Sequence, residues 1–139
     1  MNKREVRGIR NNNPLNIIKG NNWMGERKDQ TDPTFEQFVS MEYGIRAALK
    51  LIRRTIDGRT LGGRPCNTIR KLIYRWAPPT ENNSMAYVDV VCKHTGISPD
   101  AIIHSDNRKE ILAIARAMAF VECGQWINEA YFESAWSLL

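Results

Sequence analysis

The sequence predicts an α+β domain that is mostly α-helical, with a small β lobe near its N-terminus. Apolar residues recur at helical spacing from residue 45 to the end of the chain. Short apolar runs broken by Asn, Gly and Pro occupy residues 15–39, as is typical of short strands. A length of 139 residues supports one hydrophobic core, so we expect residues 1–139 to form a single domain.

Three extended segments are expected before the first long helix, at residues 15–18, 23–25 and 35–39. Turn-forming residues separate them, because Asn side chains bond nearby backbone groups and Pro fixes φ. The turns are expected at residues 11–14, 20–22 and 32–33. Paired in antiparallel fashion, the segments would form a sheet of marginal size.

Helices are expected in the rest of the chain, and capping residues and prolines mark their ends. Ser40 is a good N-cap for the first helix, which should end at Asp57-Gly58. The second should begin near residue 67 and stop before Pro78, because the residue ahead of a proline is pushed out of the α region. The remaining predicted elements are a helix over residues 83–96, one helical turn at 101–103, a long helix capped by Ser105 and ending at Glu122, and an amphipathic segment over 125–139.

The net charge of +5 favours a polyanionic partner, which could be nucleic acid, an anionic membrane surface or an anionic cell-wall polymer. Four basic residues should lie on one side of the first long helix, and a solvated polar face is the simpler explanation for them. They are Arg46, Lys50, Arg53 and Arg54. Nucleic acid is not our expected partner, because only the charge favours it.

Composition also argues against several classes of protein. No stretch approaches the ~20 apolar residues that span a bilayer, and no hydrophobic region follows the charged start, so neither a secretory signal nor membrane insertion is expected. Cys66, Cys92 and Cys123 are odd in number and widely spaced, which predicts neither a disulfide framework nor a zinc site. The two histidines lie apart from any carboxylate cluster. We therefore expect no metal and no cofactor.

The most informative segment is a run of almost wholly apolar residues, 111–121, that ends at Glu122 ahead of Cys123-Gly124. Only Arg116 interrupts it, so the run predicts a helix buried on most sides with a lone acid in its last turn. Desolvation raises a carboxyl pKa, by up to ~3–5 units for a fully buried group, and this creates a proton donor near neutral pH. The alternative is a partly exposed glutamate paired with an arginine such as Arg116.

Several motifs resemble known proteins. The run Arg7-Gly8-Ile9-Arg10-Asn11-Asn12-Asn13-Pro14-Leu15-Asn16-Ile17, with Trp23-Met24-Gly25, residues 35–40 and residues 43–47, resembles a family of phage and prophage virion-associated proteins. The same region is more distantly similar to the Asn-Asn-Leu-Phe-Gly-Ile stretch of bacterial cell-wall glucosaminidases. Residues 76–88, which end in Tyr87-Val88, are similar to the tract ahead of the active-site tyrosine in those enzymes. The resemblance implies a lysozyme-like fold.

One departure from the glucosaminidase pattern concerns the catalytic helix. In those enzymes this helix precedes the Asn-Asn motif, whereas here residues 111–124 resemble it, with the Glu-x-Gly ending, at the other end of the chain. Domain termini often lie close together, so a terminal helix can move from front to back without loss of packing. We therefore expect a circular permutation that brings Glu122, Tyr87 and the Asn12–Asn16 turn around one cleft.

The expected catalytic roles follow from the chemistry of glycoside cleavage. Glu122 would protonate the glycosidic oxygen, and Tyr87 would orient substrate or stabilise charge, unless it is an ordinary core tyrosine. Hydrolysis needs a second carboxylate unless the sugar's own acetamido or hydroxyl group attacks. Glu26 and Glu81 are preferred for this role because each sits in a loop beside a tryptophan-bearing motif. The other acids considered are Asp29, Asp32 and Glu36.

Substrate-binding candidates are asparagines and tryptophans near these acids. Asn12, Asn13 and Asn16 can bind acetamido groups, although we favour a structural role within their own turn for at least two of them. Trp23 and Trp76 can offer flat apolar faces to sugar rings, and core packing is an equal alternative for each.

The sequence thus leads us to expect a peptidoglycan-degrading enzyme of phage or prophage origin. It would cut the β-1,4 bond as a muramidase, lytic transglycosylase or glucosaminidase. Its partners would be peptidoglycan and other virion proteins, and it would be virion-associated, or cytoplasmic until lysis. The alternative is a non-catalytic virion structural or glycan-binding protein with a lysozyme-like fold.

Overall fold

Helices dominate the computed structural model, which describes residues 6–60 and 62–139. In chain order they are α1 (Arg7–Arg10), α2 (Met41–Ile56), α3 (Ile69–Trp76), α4 (Ser84–Thr95), α5 (Arg108–Cys123) and α6 (Glu129–Ser137). The prediction of a mostly helical chain is therefore confirmed.

Local capping chemistry places most helix ends where the sequence predicts them. The side chain of Ser40 accepts a hydrogen bond from the Tyr43 N–H at the start of α2, and Thr68 does the same for α3. Asn83 caps α4, which ends at Gly96 in the left-handed conformation, with φ 73°. Each cap satisfies a backbone group that the helix itself leaves unpaired.

Two helix starts and two short elements differ from the prediction. Asn107, not Ser105, caps α5, and α6 begins only at Glu129. Residues 101–103 form no helical turn, because the Ile103 N–H donates to the Asn67 carbonyl at the start of α3 instead of to its own segment. The short helix α1 was not predicted.

The sheet expected over residues 15–39 is not formed. Pairing there is limited to two isolated antiparallel bridges, Ile18 with Phe35 and Glu26 with Phe38. Side chains take the place of a ladder: the Asn13 amide donates to the carbonyls of Ile17 and Glu36 and accepts from the Ile17 N–H. Such side-chain bonds compete with regular backbone pairing, so the segment folds as a chain of turns.

Asp32 is the charged centre of this turn region. Its carboxylate accepts hydrogen bonds from Arg7 at 2.5 and 2.6 Å, from the Asn11 amide at 2.9 Å, and from the N–H groups of Thr34 and Phe35 at 2.9 Å each. The Arg7 guanidinium above all, with the Phe35 N–H and Asn11, holds the pKa of Asp32 well below its usual range against the opposing effect of burial.

Replacement of Asp32 by asparagine should therefore lower stability in a pH-dependent way. A depressed folded-state pKa stabilises the fold above the ordinary carboxyl value of about 4, and this contribution declines as the pH falls below it. We expect a loss of about 2 kcal/mol in the free energy of unfolding at pH 7, shrinking steadily below about pH 4. Urea unfolding over a pH series measures it, with the exposed neighbour variant Asp29→Asn as control. If the loss in the free energy of unfolding were the same at every pH, its cause would be altered packing and not the Asp32 charge.

Helix α5 packs against α1, α2, α4 and α6. Its apolar side chains Ile111, Ile114, Ala115 and Met118 are fully buried in the main hydrophobic cluster, as its sequence suggested. This packing fixes α5 on most sides and so fixes the position of Glu122 in its last turn. No helix in the described part of the chain has the length and apolarity needed to span a membrane.

The basic side of α2 is less solvated than expected. Arg46 is buried and its Nε donates to the Leu138 carbonyl at 3.0 Å, at the end of α6. The Arg53 Nε donates to the Ser105 carbonyl at 2.8 Å. These two arginines therefore join α2 to neighbouring segments, while Arg54 remains exposed.

Candidate functional site

Three distant parts of the chain meet at the Glu122 carboxylate. The amide Nδ2 of Asn16 donates to Oε1 at 2.9 Å, and the Tyr87 hydroxyl donates to Oε2 at 3.0 Å. Glu122 is half-buried in the last turn of α5, Tyr87 lies on α4, and Asn16 belongs to the N-terminal turn. The structure thus brings together three of the residues singled out from the sequence.

Tyr87 is a buried hydrogen-bond donor with two acceptors in reach. Its hydroxyl also lies 3.4 Å from the Met118 carbonyl oxygen. Burial first, and then the Glu122 charge, raise the pKa of Tyr87 well above its ordinary value, so the hydroxyl stays protonated at neutral pH. When Glu122 is ionised, the proton points at Oε2. When Glu122 is protonated, the Tyr87 hydroxyl can accept a hydrogen bond from the carboxyl group and donate its own to the Met118 carbonyl. The site therefore accommodates either state of Glu122.

A left-handed backbone conformation directs Asn16 towards Glu122. Its φ is 54°, a value that asparagine tolerates better than most residues, and its N–H donates to the Asn13 carbonyl at 3.1 Å. Gly8 of α1 packs against this turn: a Cβ there would lie 3.3 Å from Asn16 Oδ1 and 3.0 Å from Cys123 Sγ. The sequence interpretation missed Gly8, although a glycine inside a short basic run was a signal of close packing.

Cys123 joins the end of α5 to the same turn. Its Sγ lies 3.3 Å from the Pro14 carbonyl oxygen. Burial, followed by the adjacent Glu122 charge, raises the pKa of Cys123 to about 11. The thiol is therefore neutral at physiological pH and acts as a weak donor to the turn, not as a nucleophile.

Arg116 does not neutralise Glu122. Its Nε donates to the Ile127 carbonyl at 2.9 Å, and its guanidinium lies 5.2 Å from the centre of the Trp126 ring. Across residues 6–60 and 62–139 no ion pair includes Glu122. The ion pair considered as an alternative from the sequence is not formed, and neutral donors surround the carboxylate.

The other asparagines and the two tryptophans stand apart from this centre. Asn12 Nδ2 donates to the Phe38 carbonyl at 3.1 Å, and the Asn13 side chain is fully used within the turn. Trp23 is buried in the core, with its Nε1 unpaired among the described residues, and Trp76 is half-buried in the last turn of α3. Asn12 and Asn13 therefore make structural contacts, as was favoured for at least two of the three asparagines.

Among the described residues, the hydrogen bonds to the Glu122 carboxylate come from Asn16 and Tyr87 and not from a second carboxyl group. Glu26 accepts from the Trp23 N–H at 2.8 Å and lies beside Glu36, whose pKa is raised first by burial and then by the Glu26 charge. Glu81 is exposed in the loop ahead of α4. Among the described residues, no hydrogen bond joins Glu26 or Glu81 to Glu122. Nor does the part of the chain that the structure describes contain a group of three or more His, Cys, Asp or Glu side chains placed to hold a metal ion.

A cavity of about 660 Å³ lies elsewhere, between α4, α5 and α6, and Glu122 does not line it. This cavity is therefore not the cleft that was expected around Glu122. The Glu122 carboxylate is half-buried at the protein surface outside it.

Comparison with known proteins identifies a phage relative. No family model matches the chain. The chain is 35% identical to Protein P5 of Pseudoalteromonas phage PM2 over 112 residues, which cover 78% of this chain and 67% of that protein. The expected similarity to phage proteins is confirmed at this level. The chain belongs to the family of Protein P5 of Pseudoalteromonas phage PM2.

Proposed function

We propose that this protein cleaves the glycan strands of bacterial peptidoglycan at a β-1,4 glycosidic bond, with Glu122 as the general acid. The observation that carries the proposal is the convergence of Asn16, Tyr87 and Glu122 from separate segments on one partly exposed carboxyl group. Under this proposal the fold is related to lysozyme-like enzymes, with α5 as the permuted catalytic helix. The phage relative supports an association with the virion.

Glu122 can perform both proton transfers of such a reaction. The protonated carboxyl donates to the glycosidic oxygen while positive charge develops at the anomeric carbon. The carboxylate that remains accepts hydrogen bonds from Asn16 and Tyr87. The same two contacts hold the carboxyl plane in one orientation, which places the proton in a defined direction.

We favour a reaction in which the substrate supplies the nucleophile, because such a reaction needs only one carboxyl group, here that of Glu122. In a lytic transglycosylase reaction, the 6-hydroxyl of the muramoyl residue attacks its own anomeric carbon. The bond from this carbon to the leaving oxygen breaks, and a bond to O6 forms. Glu122 gives its proton to the leaving oxygen and takes the O6 proton, so the reaction balances without water and needs one carboxyl group.

Mass spectrometry of the soluble products from purified peptidoglycan tests this proposal. We expect anhydromuramoyl ends, each one water lighter than the hydrolysed form, and we expect activity to persist in a chelator. Asp89→Asn, an exposed acid on α4, provides a control variant with unchanged products. Release of reducing muramoyl or glucosaminyl ends would instead indicate hydrolysis, and the absence of any soluble product from wild-type protein would remove the enzymatic proposal.

A second candidate function is a non-catalytic virion component that binds glycan. The observation that favours it is that protein donors already occupy both oxygens of Glu122, as in a structural tie between α5 and the Asn16 turn. Sedimentation with insoluble peptidoglycan separates the two candidates, because binding without released products supports the second.

A further inference from the structure

The 660 Å³ cavity forms a groove between the start of α5, the start of α6 and the end of α4, and we call it the α4–α6 groove. Its floor is apolar and includes Leu112, Ala117 and Phe132. Small and aliphatic side chains on the floor suit a narrow ligand with methyl-sized side groups.

Opposite charges line the two walls of the groove. Arg108 and Lys109 lie on α5, while Glu129 and Glu133 lie on α6. Among the described residues, none of these four side chains takes part in an ion pair. Each charge is therefore available to a ligand group of the opposite sign, and a ligand with both carboxylates and an amine complements the pair of walls.

Trp126 forms a fixed end to the groove. Its ring stacks on Phe120 with centroids 4.4 Å apart, and His94 meets it edge-on at 4.8 Å. It nevertheless remains 44% exposed. A tryptophan that is fixed by Phe120, His94 and the Arg116 guanidinium and is still partly exposed contributes contact area at little cost in conformational entropy.

The groove lies along the same helix pair as Glu122. Tyr87, which bonds Glu122, and His94, which lines the groove, are seven residues apart on α4 and therefore share a helix face. Their separation along the axis is about 10 Å at 1.5 Å per residue. An extended peptide of about three residues spans that distance.

We propose that the α4–α6 groove binds the peptide that substitutes the glycan strands of peptidoglycan. This short peptide carries alanine methyl groups, several carboxylates and, where it is not cross-linked, a free amine on its third residue. Its carboxylates would face Arg108 and Lys109, and its free amine would face Glu129 and Glu133. The inference rests on the proposed function, because it names the peptide-bearing strand as the substrate.

The test uses the full chain and a sugar-free peptide, L-alanyl-γ-D-glutamyl-meso-diaminopimelyl-D-alanine. Titration calorimetry measures its binding. We expect Lys109→Ala and Glu133→Gln each to weaken binding about fivefold or more. Both side chains are exposed, so neither substitution should unfold the protein. The matched controls Lys71→Ala on α3 and Asp89→Asn on α4 should bind as wild type does.

Three results would overturn the inference. The first is that the peptide does not bind the wild-type protein. The second is that it binds the groove variants as tightly as it binds wild type. The third is that an all-L peptide with an acetylated side-chain amine binds as tightly as the original peptide. The last result would indicate a general peptide groove. The probe contains no glycosidic bond, so Glu122→Gln should leave its binding unchanged. Failure of the cleavage assay and failure of this binding assay are therefore distinguishable.

Discussion

Replacement of Glu122 by glutamine is expected to lower the rate of glycan cleavage at least about 100-fold, because glutamine cannot donate the proton that the leaving oxygen requires. Glutamine has the same shape and can still accept the Tyr87 hydrogen bond. The Asn16 amide can turn to present its oxygen to the new NH₂ group. The variant should therefore fold and still sediment with insoluble peptidoglycan, so the loss should appear in turnover and not in binding.

The decrease in turbidity of purified peptidoglycan measures this rate, and thermal unfolding of the same samples controls for folding. Tyr87→Phe provides a graded companion, because it removes one donor to the carboxylate and leaves the acid in place. We expect it to retain more activity than Glu122→Gln. If Glu122 served only to join α5 to the Asn16 turn, both variants would melt earlier and yet cleave as fast per folded molecule.

The helical part of the fold could be predicted because its signals are local. Ser40 caps α2 as expected, Thr68 and Asn83 cap α3 and α4 close to the starts that were predicted for them, and Gly96 ends α4. Capping depends on contacts within four residues, so the sequence around each helix end contains the necessary information. The 101–103 turn was predicted wrongly because a distant acceptor, the Asn67 carbonyl, takes one of its N–H groups.

The N-terminal region could not be predicted in the same way, because side chains far apart in sequence decide its structure. Gln37 donates to Asn11, and Arg7 donates to Asp32, and these bonds take the place of the sheet that the short apolar runs suggested. Nothing in the order of residues reveals which polar side chain will find which backbone group.

For the candidate site, the pairing of Glu122 with Tyr87 was anticipated from a resemblance, whereas the choice of Asn16 among three asparagines was not. The Asn13 side chain donates to the Ile17 carbonyl next to its own turn, and the Asn12 side chain donates to the Phe38 carbonyl. Only the three-dimensional path of the turn leaves Asn16 facing α5. The expected acids Glu26 and Glu81 were chosen by their neighbours in sequence, and that criterion carries no information about distance from α5.

The same turn makes Gly44 a residue whose substitution should strongly reduce stability. Gly44 is buried in α2, and a Cβ there would overlap the carbonyl oxygen of Asn12 and lie 2.8 Å from its carbonyl carbon. The Asn12 backbone cannot move away cheaply, because the neighbouring Asn11 carbonyl accepts from the Phe38 N–H and the Asn12 side chain donates to the Phe38 carbonyl.

Gly44→Ala is therefore expected to lower the free energy of unfolding by about 3 kcal/mol or more, as measured by urea denaturation. Helix propensity alone predicts the opposite sign, since alanine is favoured over glycine inside a helix by roughly 1 kcal/mol. Gly124→Ala is the matched control: its φ is 70° and no atom lies within 4 Å of the added Cβ, so only backbone strain of about 1 kcal/mol is expected. If the Gly44→Ala protein were as stable as wild type, the Asn12 turn would have to move away from α2 at little cost. Because Asn16 lies in that turn, a displaced turn should also slow glycan cleavage in the protein that still folds.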